Sequence, residues 1–294
     1  MDLLDHIAYW LSTVKKRPRD NIVLSLAEIA RVEMYCQLSS TFKLNEPKEI
    51  NSISRLRKAS YSYDWYRIFN VSDSRKCHFA FGDIQYVPDE PTFTKSRPIC
   101  PSNENNVLLP LNTIRHFNFH KDPYSFNSKS NDAVWRGAAY KDHRKLFLDK
   151  SEECSICNCK DTSRYAPRNI LGRSQNHLSA KEQLKHKFIF AIEGNDVASN
   201  LKWVMASNSV AVMPKPRFET WFLESQLIPD QHYIEISSTF DNIAEALEPY
   251  LTKPRLAEEI NQEAKEYAAQ FFDLKRQFRI AEIVAEKYFS LTCK

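Results

Sequence analysis

Residues 187–214 read KFIFAIEGNDVASNLKWVMASNSVAVMP, and their pattern decides the fold. The run 188–192 is short, apolar and β-rich, as a buried parallel strand requires. Glu193, Gly194, Asn195 and Asp196 interrupt it with a turn glycine and two residues that favour helix N-caps. Val197, Leu201, Val204 and Met205 then recur at helical spacing, and a second apolar run, 210–213, stops at Pro214. The sequence therefore predicts strand, tight turn, helix, strand, which is one βαβ unit. In such a unit the turn after the first strand meets a helix N-terminus, where N–H groups and the helix dipole hold phosphate. A packing glycine in an ordinary α/β turn would give the same local pattern.

Working outward, glycine usage sharpens the choice. The chain has 294 residues and only 4 glycines, where average usage of about 7% would give roughly twenty. Retained glycines belong where no side chain fits. Gly82, Gly137 and Gly194 each follow an apolar run with strand character, the position at which α/β proteins bind ligands. The remaining one is Gly172.

The composition, 43% hydrophobic and 12% aromatic, supplies material for packed cores in one large or two ordinary domains. Lys and Arg number 41 against 37 acidic residues, a balance that speaks against a dedicated nucleic-acid binder. The opening MDLLDHIAYWLSTVKK lacks a signal-peptide cleavage pattern, and no apolar run reaches membrane-spanning length, so an intracellular, cytoplasmic chain is expected. Cys154, Cys157 and Cys159 invite a zinc reading, but no fourth ligand or second paired half stands at suitable spacing, so no metal is expected.

In chain order, Leu4, Ile7, Ala8, Leu11 and Val14 give an amphipathic helix that starts at Leu3. It leaves through Lys15, Lys16, Arg17 and Arg19: a core helix, or a foot on a membrane surface. A second helix is expected over 22–38, while the aromatic-rich stretch 39–75 has no clear assignment. Strands are expected at 78–81, 107–111 and 133–135, with a connector over 112–130. A helix headed by Lys141 follows, then a cysteine- and arginine-bearing insert over 151–179. After the central unit come a helix over 218–227, a strand over 232–236 and long terminal helices. Alternation in the second half makes that half Rossmann-like. The expected architecture is α/β and GT-B-like, with two Rossmann-like domains facing across a cleft. The boundary is drawn at 120, giving domains 1–120 and 121–294, with the last helices returning to the first domain.

The block KFIFAIEGNDVASNLKWVMASNSVAVMPKPRFETWF, with LIPDQHYIEI after it, resembles family 90 glycosyltransferases. Within them it is nearest the bacterial lipopolysaccharide-core branch, related to the eukaryotic protein O-glucosyltransferases. AVWRGAAYKDHRKLF resembles that family's Arg-Gly motif with a second arginine eight residues on. The resemblance is strongest over 130–240 and looser over 75–112. It implies a GT-B fold, with 1–120 on the acceptor side and 121–294 on the nucleotide-sugar side, and inverting, metal-independent transfer of a hexose, glucose or galactose, from a UDP-sugar to a lipopolysaccharide-core or related glycan hydroxyl. The UDP-sugar is substrate, and no cofactor is implied. By motif, FAFGDIQYVP implies Asp83 as the catalytic carboxylate. Arg136, Gly137 and Arg144 would lie at the donor diphosphate. Gly194, Asn195, Asp196, Val197, Ala198, Ser199 and Asn200, with Lys202, would form the turn and helix start around it. Eukaryotic members carry arginine where this chain has Asn200.

The chemistry agrees with these residue types. Inverting transfer needs a base for the acceptor hydroxyl and cations or N–H groups for the leaving diphosphate. No Asp-x-Asp occurs in the chain. Each residue has a plainer alternative: Asp83 a turn or cap, Arg144 a surface charge, Glu219 a helix cap rather than a ribose ligand. Two rival functions stand beside the enzyme. One is a non-catalytic nucleotide-sugar-binding protein. The other is a nucleic-acid binder using the basic clusters at 15–19 and 141–145, for which no recognised motif exists.

Overall fold

A computed structural model describes residues 22–53, 59–170, 172 and 174–292, and all that follows concerns these. The expected amphipathic helix and basic exit over 3–19 lie outside the described residues. The elements begin with α1 (Leu26–Tyr35), β1 (Lys48–Glu49), α2 (Ala59–Ile68), β2 (Lys76–Ala80), β3 (Thr92–Thr94), β4 (Ser96–Pro98) and β5 (Asn106–Leu108). Then come α3 (Thr113–His116), β6 (Ser130–Gly137), α4 (Asp142–Ser151), β7 (Cys157–Asp161), α5 (Ala180–Gln183), β8 (His186–Phe190), α6 (Leu201–Met205) and β9 (Val210–Met213). The chain closes with β10 (Phe218–Thr220), β11 (Ile234–Glu235), α7 (Ile243–Thr252), α8 (Pro254–Ala269) and α9 (Leu274–Thr292).

Two compact units result. The first holds the described residues up to 115 together with 218–223 and 273–292; the second holds 116–217 and 224–272. In the first, a sheet of order β1-β2-β3-β5 has β2, β3 and β5 parallel and β1 antiparallel on its edge. The aromatics of the unassigned stretch 39–75 find their place here. Tyr61 and Trp65 on α2 and Phe69 just past its end follow at helical spacing, and all three are buried. Trp65 lies 4.4 Å from Phe69 and 5.9 Å from Phe93 between ring centroids, and Phe93 lies 4.1 Å from Tyr288 of α9.

In the second unit five parallel strands run in the order β11-β9-β8-β6-β7. Alternate residues supply one buried face: Ala133 and Trp135, Phe188 and Phe190, Val210 and Val212. The expected βαβ unit is present, since β8 and β9 pair in parallel. Its helix is shorter than the apolar spacing predicts. Residues 191–200 form an irregular turn in which the Ala191 N–H still donates to Val212 O (2.9 Å), and helix begins only at Leu201. The insert 151–179 contributes β7, an edge strand that its composition concealed. The helix expected over 218–227 is a correction: Phe218–Thr220 is strand β10, paired antiparallel with β4, and a single 3-10 turn follows at Glu224–Gln226. Pairing with a strand more than a hundred residues away overrides the local helical spacing, and Leu223 at φ 54 ends the run. The described α/β architecture, with its parallel sheets, is consistent with Rossmann-like layers. Among the described residues no helix is long and apolar enough to cross a membrane.

Candidate functional site

In the first unit, chemistry gathers at the carboxyl ends of β2 and β3. Just past β2, Gly82 adopts φ 131, a backbone region closed to residues with a Cβ, and hands the chain to Asp83. Lys95, directly after β3, places Nζ 2.6 Å from Asp83 Oδ1. The lysine side chain is 2% exposed and the aspartate 25%, so a buried ammonium stands behind a carboxylate that still meets solvent. Ser96 fixes the next residue: its Oγ accepts from the Ile84 N–H (3.1 Å) and donates to Ile84 O (3.3 Å).

Glu219 belongs to this same unit. It faces Arg97 across the β10–β4 pair, with Oε1 2.6 Å from Arg97 Nε and both side chains buried. Arg97 also donates to Met34 O (2.7 Å) and Asn106 O (3.2 Å). Glu219 is thus the counter-ion of a buried arginine.

In the second unit the carboxyl ends of β6 and β8 carry the remaining candidates. Arg136 donates from Nη1 to Trp135 O (2.8 Å) and Asn158 O (2.6 Å), and from Nη2 to Asn158 Oδ1 (2.8 Å). Burial lowers its pKa. Gly137 is required by packing, because a Cβ there would meet Trp135 Cζ2 at 2.4 Å. Arg144, on α4, sits 5.5 Å over the Trp135 ring. It ties the two strand ends together: Nη1 to Ala138 O (3.0 Å), Nη2 to Ile192 O (2.6 Å) and Nε to Glu193 O (2.8 Å). His143 Nε2 reaches Glu193 O (2.8 Å), and the Glu193 carboxylate accepts from Arg217 N (2.9 Å) and Nε (2.8 Å).

The turn itself is internally braced. The Gly194 N–H donates to Asp196 O (3.0 Å), and Asn200 Nδ2 donates to Phe190 O (2.9 Å). Asn195 is exposed, Gly194, Ser199 and Asn200 are half-buried, and Asp196, Val197 and Ala198 are buried. Lys202 points inward: Nζ lies 2.6 Å from Glu224 Oε1, with both side chains buried. The structure therefore brings Arg144, Gly137 and residues 193–200 together at one sheet end. It gives Lys202 and Glu219 carboxylate and guanidinium partners of their own.

The cysteine cluster carries raised thiol pKa values. Burial pushes Cys154 up to about 11, and contact with Cys159 raises Cys157. No group of three His, Cys, Asp or Glu among the described residues is placed to hold a metal ion. Sequence reasoning passed over Lys95, Arg97 and Glu224. The signal for the first two was present in TFTKSRP, where two cations stand at alternate positions in an otherwise uncharged stretch. Nothing local pairs Lys202 with Glu224.

The profile of glycosyl transferase family 90 matches residues 110–291. The chain belongs to that family. It is also 37% identical over 263 residues to an O-glucosyltransferase, LpsA, of Dichelobacter nodosus, an alignment covering 89% of this chain and 82% of that protein. As a family 90 member the chain is a glycosyltransferase.

Proposed function

We propose that the chain is an inverting, metal-independent GT-B glycosyltransferase that moves a hexose from a UDP-sugar to a hydroxyl of a lipopolysaccharide core or related surface glycan. Glucose is preferred over galactose, because the Dichelobacter nodosus relative is named an O-glucosyltransferase. The observation that carries the reading is Asp83: a partly exposed carboxylate, kept beside the Lys95 ammonium at the carboxyl end of a parallel strand. In this mechanism Asp83 takes the proton of the acceptor hydroxyl as that oxygen attacks the anomeric carbon and UDP departs. The donor diphosphate lies at the turn of residues 194–200, with Arg136, Gly137 and Arg144 shaping the strand ends beside it. Lys202 and Glu219 act from within the cores. The enzyme works in the cytoplasm, with residues 3–19 as a foot on the inner membrane.

The test is Asp83→Asn. Transfer from UDP-glucose should fall below a few per cent of wild type while UDP affinity stays within about threefold. Melting must be followed alongside, because the substitution removes the counter-ion of a buried lysine. Substantial transfer by the folded variant would defeat the base assignment. Tight UDP-glucose binding with no transfer by the wild-type protein to any glycan would favour the non-catalytic binding protein instead.

A further inference from the structure

We infer that Lys95 and Ser96 are positioning residues for Asp83, a role that rests on reading Asp83 as the base. Two consecutive residues at the β3–β4 junction reach two consecutive residues of the loop after β2. Lys95 Nζ holds Asp83 Oδ1 at 2.6 Å, and Ser96 Oγ brackets the Ile84 backbone at 3.1 and 3.3 Å. Upstream, Gly82 adopts φ 131, a turn that glycine makes at little cost. Asp83 is thereby held at its own carboxylate and at the residue after it.

The asymmetry of burial argues for more than stability. Placing an ammonium at 2% exposure carries a desolvation penalty that an apolar residue of similar volume would avoid, so a buried ion pair is a poor device for stability alone. Here the cation is sunk in the core and its anion is left partly open to solvent. That arrangement suits a carboxylate that must be ionised and aimed when an acceptor hydroxyl arrives. With Oδ1 taken by Lys95, rotation of the carboxylate is restricted. Lys95 orients the base by holding one of its two oxygens.

The test compares Lys95→Met, Lys95→Arg and Ser96→Ala with wild type. UDP-glucose is the donor and a deacylated lipopolysaccharide core lacking its outer sugars is the acceptor. Rates are expressed per donor-binding site, counted by UDP-glucose titration, so that lost folding does not mimic lost chemistry. Lys95→Met should lower kcat by about thirtyfold or more, with both KM values and the UDP dissociation constant within about threefold. Lys95→Arg should recover most of that loss, and Ser96→Ala should lower kcat about threefold to tenfold. If Lys95→Met yields no folded protein, the Ser96→Ala and Lys95→Arg rates decide. Wild-type kcat in Ser96→Ala, or in folded Lys95→Met, overturns the inference. Asp83→Asn separates the two claims: if it retains transfer, the base reading itself fails. If it is inactive while Lys95→Met matches wild type, only the positioning role fails.

Discussion

Lys202 Nζ lies 2.6 Å from Glu224 Oε1, and neither side chain reaches solvent. A lysine on the helix after a glycine turn reads, in sequence, as a phosphate ligand; in the fold its charge is balanced inside the second unit.

Lys202→Met should remove the ammonium beside the buried Glu224 carboxylate and reduce stability by about 3–5 kcal/mol in urea unfolding. The double variant Lys202→Met, Glu224→Leu should recover most of that loss. UDP affinity in the recovered protein should stay within about threefold of wild type; a larger drop would return Lys202 to the diphosphate.

The two strand-end glycines should respond differently to alanine. At Gly137 the new Cβ meets the Trp135 ring at 2.4 Å, so the variant should lose about 1–3 kcal/mol of stability. At Gly194 the nearest atom is Arg144 Nη2 at 3.2 Å, in a guanidinium held by Ala138, Ile192 and Glu193 that must yield only slightly. Gly194→Ala should therefore cost less than Gly137→Ala, up to about 1 kcal/mol. If the turn holds the diphosphate, its UDP-glucose affinity should fall about tenfold. Unchanged affinity in isothermal titration would make Gly194 a packing residue only.

Asp64 predicts a pH dependence of stability. Burial pushes its pKa up to about 7, against hydrogen bonds from Thr113 N (2.6 Å) and Oγ1 (2.7 Å) that favour the carboxylate. The folded state therefore holds this proton more tightly than the unfolded chain. The contribution is fully present below the unfolded value near 4 and disappears as pH rises to about 7, amounting to up to about 4 kcal/mol. Asp64→Asn can accept the Thr113 N–H and donate to Oγ1, and should flatten this slope. A wild-type slope in the variant, from unfolding at pH 4 to 8, would rule Asp64 out as its source.

Transfer should continue in excess EDTA. The sequence lacks Asp-x-Asp, and the proposed mechanism assigns the leaving diphosphate to arginines and backbone N–H groups. Loss of turnover on chelation, restored by Mn²⁺ or Mg²⁺, would show that a metal carries that charge.

Where information is local, sequence and structure coincide. The apolar runs at 188–192 and 210–213, a turn glycine and a short helical stretch were enough for the βαβ unit. Period and turn chemistry act within a few residues of each other, so β8 and β9 could be read directly, while α6 starts later than its apolar spacing predicts. The motif blocks likewise carried the family. What the sequence could not decide are the partners of charges. Lys95 meets Asp83 across 12 residues, Lys202 meets Glu224 across 22, and Glu219 meets Arg97 across 122. Each pairing exists only because strands and helices dock, and each determines whether a charged residue faces a ligand or a core. The same holds for β10, whose local pattern reads as helix. Its backbone finds β4 only in the folded chain, because hydrogen bonding between distant strands follows from tertiary packing and leaves no local period in the sequence.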